Sequence, residues 1–143
     1  MRLGIKEISE ISVESLLNRF GGDLEAVVLF GSCAREEAAE LSDIDFFVVV
    51  CGLPKKPMER RYIIYDALTP VLRRFRREVS VIEADAEEVG KRLTSLLINI
   101  AHDGIILYDK IGKIASLFAR IREAVKKAGL TKYETPGGKY GWR

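Results

Sequence analysis

The chain has few of the side chains on which common metal and acid–base chemistries depend. Its 143 residues include one histidine, His102, which leaves little scope for histidine-based catalysis or a histidine-rich metal site. Its two cysteines, Cys33 and Cys51, lack the close CxxC spacing of a metal site, so buried thiols are the default interpretation. Metal binding by cysteine and histidine is therefore not indicated.

Long apolar segments are also missing. The longest apolar runs, near residues 46–51 and 105–108, are far too short to span a bilayer, and the N-terminus has a helical pattern rather than the apolar segment of a signal peptide. The formal net charge of +2, with 31% charged residues, is that of an ordinary globular protein and is too small to favour nucleic acid as a partner. We therefore expect a cytoplasmic protein that does not contact a membrane.

Positive charge is nevertheless concentrated between residues 60 and 77, here called the basic span. Arginines on an amphipathic helix often form only a solvated face. The alternative is a basic surface that faces a phosphate ligand or an acidic partner, and the sequence leaves both interpretations open. The six arginines of the basic span are Arg60, Arg61, Arg73, Arg74, Arg76 and Arg77.

The first third of the chain alternates between helical and strand-like patterns. Apolar residues at helical spacing predict a helix over 5–20, and residues 24–30 form a short apolar strand. A short helix is predicted for 33–40, with Ser32 as its cap. The segment 44–50 is almost continuously apolar, which predicts a central strand covered on both faces.

The rest of the chain continues this alternation. A helix is predicted over 58–76 with an interruption at Pro70, followed by a strand at 78–85. Further predictions are a helix from about Ala86 to His102, a strand at 105–109 and an amphipathic helix at 113–129.

This order of elements predicts the class of fold. Alternating helices and strands indicate an α/β (α+β) protein with a small mixed sheet of about four strands, flanked by helices. We expect one domain over 1–130 and an irregular tail over 131–143, since that tail is rich in glycine.

Two short motifs stand at the ends of the first two predicted strands: the Gly-Ser corner (Gly31 and Ser32) and the acidic motif (Asp43-Ile44-Asp45). Asp43 and Asp45 point to the same face of their strand, where two carboxylates repel each other unless water or a cation separates them. If the strands are neighbours, the glycine allows a ligand to approach the backbone, and the serine and the following amides can bind phosphate oxygens. This arrangement indicates phosphoryl or nucleotidyl transfer with Mg²⁺.

Residues 26–50 resemble the signature of the nucleotidyltransferase superfamily related to DNA polymerase beta. That signature is an apolar strand, Gly-Ser, a gap of about ten residues and Asp-x-Asp in a second apolar strand, and the gap here is residues 33–42. The chain is particularly similar to minimal, stand-alone nucleotidyltransferase domains, in which Ala-Arg after Gly-Ser is typical. The resemblance implies an NTP donor gripped by Gly31 and Ser32, and magnesium held by Asp43 and Asp45. Arg35 is either a further phosphate contact or a surface residue.

The third carboxylate of the family's site, expected on the next strand, is not clear in this sequence. Alignment of the apolar flanks of Val79-Ser80-Val81 puts Ser80 at the expected position. Glu78 lies two residues earlier on the same face and is a candidate catalytic substitute, because its side chain is longer. Either Glu78 completes the site, or a site with two carboxylates has reduced activity.

The resemblance also implies a reaction and a partner. A nucleoside monophosphate, with AMP as the first candidate, would pass from an NTP to a hydroxyl of a protein or another macromolecule. Relatives of this size are often the antitoxin paired with a small helical HEPN-type toxin, in which a tyrosine is adenylylated. The alternative is a weak or inactive binding module that neutralises a helical partner by contact, and nucleic acid is a less favoured acceptor. The sequence does not fix the acceptor, the base preference or the oligomeric state, for which a homodimer is one alternative.

Overall fold

The structure is a computed structural model that describes residues 4–34, 43–134, 136 and 140–143. Six α-helices, one short 3₁₀ helix (Gly21–Asp23) and six strands lie within these ranges. The helices are α1 (Ile5–Phe20), α2 (Gly31–Ala34), α3 (Pro57–Ala67), α4 (Thr69–Phe75), α5 (Ser95–Asp103) and α6 (Lys113–Lys127). The strands are β1 (Leu24–Phe30), β2 (Ile44–Val50), β3 (Val79–Asp85), β4 (Ile105–Asp109), β5 (Lys132–Glu134) and β6 (Tyr140–Trp142). None of the described helices is long and apolar enough to cross a membrane.

Four of these strands form the mixed sheet that the sequence predicts. Their order is β3-β2-β1-β4. β1 is antiparallel to both β2 and β4, whereas β2 and β3 run parallel. β2 is thus an interior strand, and its residues 46–50 are all buried, as their continuous apolar character predicts. The predicted α/β (α+β) fold is confirmed.

Helices cover both faces of the sheet. Successive side chains of β2 point to opposite faces, so Phe46 packs with Leu16 of α1 and Ile64 of α3, whereas Phe47 packs in a second core with Ile100 of α5. Burying each side chain of this size contributes about 1.5–3 kcal/mol relative to exposure. The sheet is therefore fixed from both sides, and its strand ends are held in place.

The helix predicted from about Ala86 to His102 is shorter in the structure, where α5 begins only at Ser95. The preceding residues form turns, and Gly90 adopts a φ of +84°, which a helix does not contain. The Thr94 side chain then caps α5 by accepting a hydrogen bond of 3.1 Å from the amide of Leu97. The prediction of an earlier start was wrong because the local turn and cap override an otherwise helical apolar pattern.

The tail predicted to be irregular, residues 131–143, contains β5 and β6, which pair as a two-stranded antiparallel sheet. The backbones of Thr131 and Arg143 exchange hydrogen bonds of 2.7 and 3.1 Å. The indole Nε1 of Trp142 donates a hydrogen bond of 2.7 Å to Oδ1 of Asn99 on α5. This tertiary contact, which composition alone does not reveal, orders the strands despite the glycine content of the segment.

Asp103 at the end of α5 ties the same small sheet to the domain. Its carboxylate accepts a hydrogen bond of 2.9 Å from Nζ of Lys132 in β5, and its other oxygen lies 2.7 Å from Nδ1 of His102. Burial raises the pKa of the Asp103 carboxyl, but the hydrogen bonds and charges of Lys132 and His102 outweigh it and hold the pKa below its ordinary value. The ionised carboxylate is therefore the form that stabilises the fold.

We expect the substitution Asp103→Asn to lower the free energy of unfolding at pH 7 by about 1 kcal/mol, because Lys132 loses its charged acceptor. The folded-state pKa is depressed, so the stabilisation is fully present above the unfolded pKa of about 3.9 and is lost as the pH falls through the folded pKa. Urea unfolding of both proteins between pH 7 and pH 3 should show the difference shrinking below about pH 4. Substitution of the exposed Asp66 by Asn is the control. If the difference in the free energy of unfolding between Asp103→Asn and the native chain stays constant with pH, ionisation of Asp103 does not stabilise the fold.

Candidate active site

The Gly-Ser corner and the acidic motif lie at the same end of the sheet. β1 ends at Phe30 and the chain turns into α2 at once, while β2 begins on the neighbouring strand. Because β1 and β2 are antiparallel, Phe30 at the end of β1 stands opposite Asp45 near the start of β2. The two strands are neighbours, so the condition for bringing both motifs together is met.

Gly31 lies next to the side chain of Asp45. Gly31 has a φ of +73°, in the left-handed region that favours glycine. A Cβ built on Gly31 would overlap the Oδ2 atom of Asp45. The carboxylate of Asp45 therefore lies directly against the Cα of Gly31, and only glycine leaves room for it.

The two aspartates differ in exposure. Asp43 is exposed just before β2, whereas Asp45 is half-buried within the strand. Both lie on the face of the sheet that α5 and α6 cover, because Phe47, the next residue on that face of β2, packs with these helices. One carboxylate is thus fixed by the corner and the other is open to solvent.

The strand β3 supplies the positions next to these carboxylates. In the parallel pairing of β2 and β3, Ser80 stands opposite Asp45. The amide of Ile44 donates a hydrogen bond of 2.9 Å to the carbonyl of Glu78, so the same register places Glu78 beside Asp43. Both candidates for the third carboxylate position thus lie at the same end of the sheet. Ser80 stands opposite the half-buried Asp45, and the exposed Glu78 stands opposite the exposed Asp43.

Cys33 and Arg77 are two further residues at the site. The thiol of Cys33 is buried and donates a hydrogen bond of 3.5 Å to the carbonyl of Asp43. Burial raises the pKa of this thiol, the Arg77 guanidinium opposes that rise, and the carboxylates of Asp45 and Asp43 add to it. The thiol is therefore protonated at neutral pH and fills space rather than acting as a nucleophile.

Sequence reasoning did not single out Arg77 among the arginines of the basic span. The available signal was its position, because Arg77 stands two residues before β3, the strand that carries Ser80. Its charge opposes the rise in the pKa of the Cys33 thiol, which lies beside the acidic motif, so one arginine of the basic span acts on this region.

Ser32 and Arg35 are the other residues proposed to contact a nucleotide. Ser32 lies in the first turn of α2 and is half-buried beside Gly31. Arg35 lies outside the described residues, as does most of the short helix predicted over 33–40. The structure therefore places the serine at the corner and does not describe the arginine.

The donor set at this edge suits a hard divalent cation. Mg²⁺ commonly takes one or two carboxylates from a protein, and substrate phosphate oxygens and water complete its shell. Asp43 and Asp45 would provide that protein share, since the Asp45 carboxylate is held against Gly31 and Asp43 is exposed two residues earlier. Within the ranges that the structure describes, no three His, Cys, Asp or Glu side chains are grouped as a metal site.

A double-mutant cycle tests the contact between Gly31 and Asp45. Gly31→Ala should lower the free energy of unfolding by more than about 2 kcal/mol, because left-handed strain adds to the overlap with the carboxylate. In the Asp45→Ala background the overlap is gone, so the two substitutions should couple by at least about 1 kcal/mol in urea unfolding.

Gly52→Ala is the matched control for this cycle. Gly52 has a φ of +74°, and a Cβ there would meet nothing within 4 Å. Gly52→Ala should therefore lower the free energy of unfolding only through backbone strain, and its effect should not couple to that of Asp45→Ala. Additive effects of Gly31→Ala and Asp45→Ala would show that the carboxylate does not lie against this glycine.

Comparison with known proteins identifies relatives along most of the chain. Two proteins of Methanocaldococcus jannaschii, each named as a candidate protein adenylyltransferase, match it. One is 27% identical over 124 residues, which cover 86% of this chain and 84% of the relative. The other is 30% identical over 104 residues, which cover 72% of this chain and 96% of the relative.

Solved structures with the same fold come from toxin–antitoxin complexes. One, a toxin–antitoxin with AMP-PNP, superposes with a TM-score of 0.60 at 13% identity and covers 84% of this chain and 88% of its own. Another is a tri-AMPylated Shewanella oneidensis HEPN toxin in complex with MNT antitoxin. It has a TM-score of 0.58 at 13% identity, and the match covers 86% of this chain and 87% of the chain in that structure. At this identity the likeness shows a shared fold.

The family is shown by a match over most of the domain. The model of the family described as "Polymerase beta, Nucleotidyltransferase" matches residues 12–111, well over half of the chain. That range includes the Gly-Ser corner, the acidic motif and β3. The chain therefore belongs to the polymerase beta nucleotidyltransferase family.

Proposed function

We propose that this chain is a magnesium-dependent protein adenylyltransferase, which transfers AMP from ATP to a hydroxyl group of a partner protein. The observation that carries the proposal is the packing of the Asp45 carboxylate against Gly31, which brings an acidic pair to a corner suited to phosphate. The names of the two M. jannaschii relatives support the same reaction. A cytoplasmic location fits this role.

Each residue of the site has a part in this reaction. The backbone at Gly31 and the hydroxyl of Ser32 would bind the triphosphate, since both lie in the first turn of α2, where β1 ends. Asp43 and Asp45 would hold Mg²⁺, which when bound neutralises phosphate charge. The acceptor oxygen bonds to the α-phosphorus and loses its proton, the bond from that phosphorus to the bridging oxygen breaks, and pyrophosphate leaves.

Glu78 is the residue that we propose as the catalytic carboxylate on the third strand. Its backbone is tied to Ile44 within the acidic motif, and its exposed side chain stands beside Asp43 on the same face. A carboxylate at this position can accept the proton of the acceptor hydroxyl.

The proposed partner is a small helical protein of the HEPN type, with this chain as its antitoxin. The support is the shared fold with an MNT antitoxin that is in complex with a tri-AMPylated HEPN toxin. A tyrosine hydroxyl of such a partner is the proposed acceptor, and nucleic acid is a less favoured one.

A second candidate function is neutralisation of the partner by binding alone. The observation in its favour is Ser80, which stands opposite Asp45 where a carboxylate would complete the site. A serine hydroxyl lacks the charge of that carboxylate, so a site without help from Glu78 would hold a cation more weakly.

Transfer of label from [α-³²P]ATP to a HEPN-type partner in the presence of Mg²⁺ tests the enzyme. We expect the double substitution Asp43→Asn and Asp45→Asn to reduce the transfer by about 100-fold or more, because the cation loses both charged ligands. The exposed Glu87→Gln is the control. If the double variant still inhibits the partner as well as the native chain does, binding alone explains the function and the proposal fails.

The role of Glu78 is tested in the same assay. Glu78→Gln should lower the transfer rate by about 100-fold, as removal of a general base does, whereas Ser80→Ala should have little effect. Thermal unfolding of each variant serves as the check on folding. Full activity of Glu78→Gln would mean that the site works with the two aspartates only.

A further inference from the structure

An open cavity of about 400 Å³ lies between α5, α6 and the segment that leads from α6 into β5. Its size falls in the range of about 300–1,000 Å³ that small-molecule sites occupy. The described residues that line it include none from the four-stranded sheet, the Gly-Ser corner or the acidic motif, so the cavity is separate from the candidate active site. The apolar residues of its lining are Ile98, Ile121, Val125, Leu130 and Trp142.

Hydrogen bonds hold the apolar walls of this cavity in place. The amide of Leu130 donates a hydrogen bond of 3.1 Å to the carbonyl of Val125, which fixes the segment that follows α6. The indole Nε1 of Trp142 is bonded to Asn99, and the indole meets the His102 ring edge to face, with the ring centroids 5.2 Å apart. The polar atom of the indole is thus in use, and the rest of the ring adds apolar area to a preformed cavity.

The lining of the cavity also carries an excess of positive charge. Arg122 and Lys126 of α6 and Lys132 of β5 line it, and no Asp or Glu is among its described lining residues. Lys132 is already paired with Asp103 at 2.9 Å, so Arg122 and Lys126 supply the excess. One of the five donors of Arg122 binds the carbonyl of Ala101 at 3.0 Å, which holds the guanidinium at the end of α5. Such a planar group is suited to binding a carboxylate through two hydrogen bonds.

We propose that this cavity binds a small amphiphilic carboxylate, which is a monoanion with an apolar chain or ring. The apolar part packs against Ile121, Leu130 and Trp142, and the carboxylate meets Arg122 and Lys126. An uncharged ligand would leave the cations unused, and a small hydrophilic anion would leave the apolar walls in contact with water. The charge and the apolar area of the lining therefore select a ligand that carries both.

The indole of Trp142 is a specific reporter of binding, because it is the one tryptophan of the chain and lies in the cavity wall. Its indole N–H signal can be followed by NMR during titration with octanoate, with octanol, which has the same chain without the charge, and with acetate, which has the carboxylate without the chain. We expect octanoate to shift the signal saturably and to bind at least about fivefold more tightly than octanol, because its hydrogen bonds are charge-assisted. Acetate should give no saturable shift.

Two variants separate the contributions of charge and apolar area. Lys126→Met should weaken octanoate binding by about threefold or more and leave octanol binding unchanged, because it removes one cation from the lining. Lys127→Met is the matched control, since Lys127 is an equally exposed neighbour on α6 that does not line the cavity. Leu130→Ala should weaken octanoate and octanol by the same few-fold factor, because both ligands lose the same apolar contact.

Several results would overturn the inference. They are the absence of a saturable octanoate shift at Trp142, octanol binding as tight as octanoate binding, and equal effects of Lys126→Met and Lys127→Met. Displacement of octanoate by MgATP would also overturn it, because the cavity would then belong to the nucleotide site. The test measures no transfer of AMP and uses no residue of the acidic motif, so its failure and the failure of the proposed function are distinguishable.

Discussion

The site depends on one contact, in which the carboxylate of Asp45 lies against the Cα of Gly31. A carboxylate at the edge of an apolar core is costly unless its surroundings compensate for its charge. Gly31 provides the space because it has no Cβ, and its left-handed φ turns the chain from β1 into α2 at that point. The same glycine therefore fixes the position of an acid at the corner where β1 turns into α2.

The rest of the fold holds the two sides of this contact in register. Phe46 and Phe47 anchor β2 in opposite cores, so the strand cannot slip by one residue without moving Asp45 away from the Gly-Ser corner. The parallel pairing with β3 then adds Ser80 beside Asp45. The two apolar cores thus fix the positions of the polar residues at this end of the sheet, although neither aspartate belongs to a core.

Much of this was predictable from the sequence because the signals are local. The continuous apolar run of β2, the break between α3 and α4 just before Pro70, and the spacing from the Gly-Ser corner to the acidic motif each follow from neighbouring residues. The late start of α5 and the formation of β5 and β6 in the tail were not predictable. They depend on the Thr94 cap and on the hydrogen bond from Trp142 to Asn99, and the latter joins residues 43 positions apart. The position of Arg77 near the site likewise depends on tertiary structure, which the local sequence does not reveal.

The central claim is that the acids at 43 and 45 and the corner at 31 and 32 form one site for a divalent cation and a triphosphate. The most direct test is a crystal structure with Mn²⁺ and a non-hydrolysable ATP analogue, in which anomalous scattering locates the metal. The account predicts a manganese peak bonded to the carboxylates of both aspartates, with the triphosphate against the Gly-Ser corner. A peak elsewhere, or a nucleotide bound away from that corner, would contradict it.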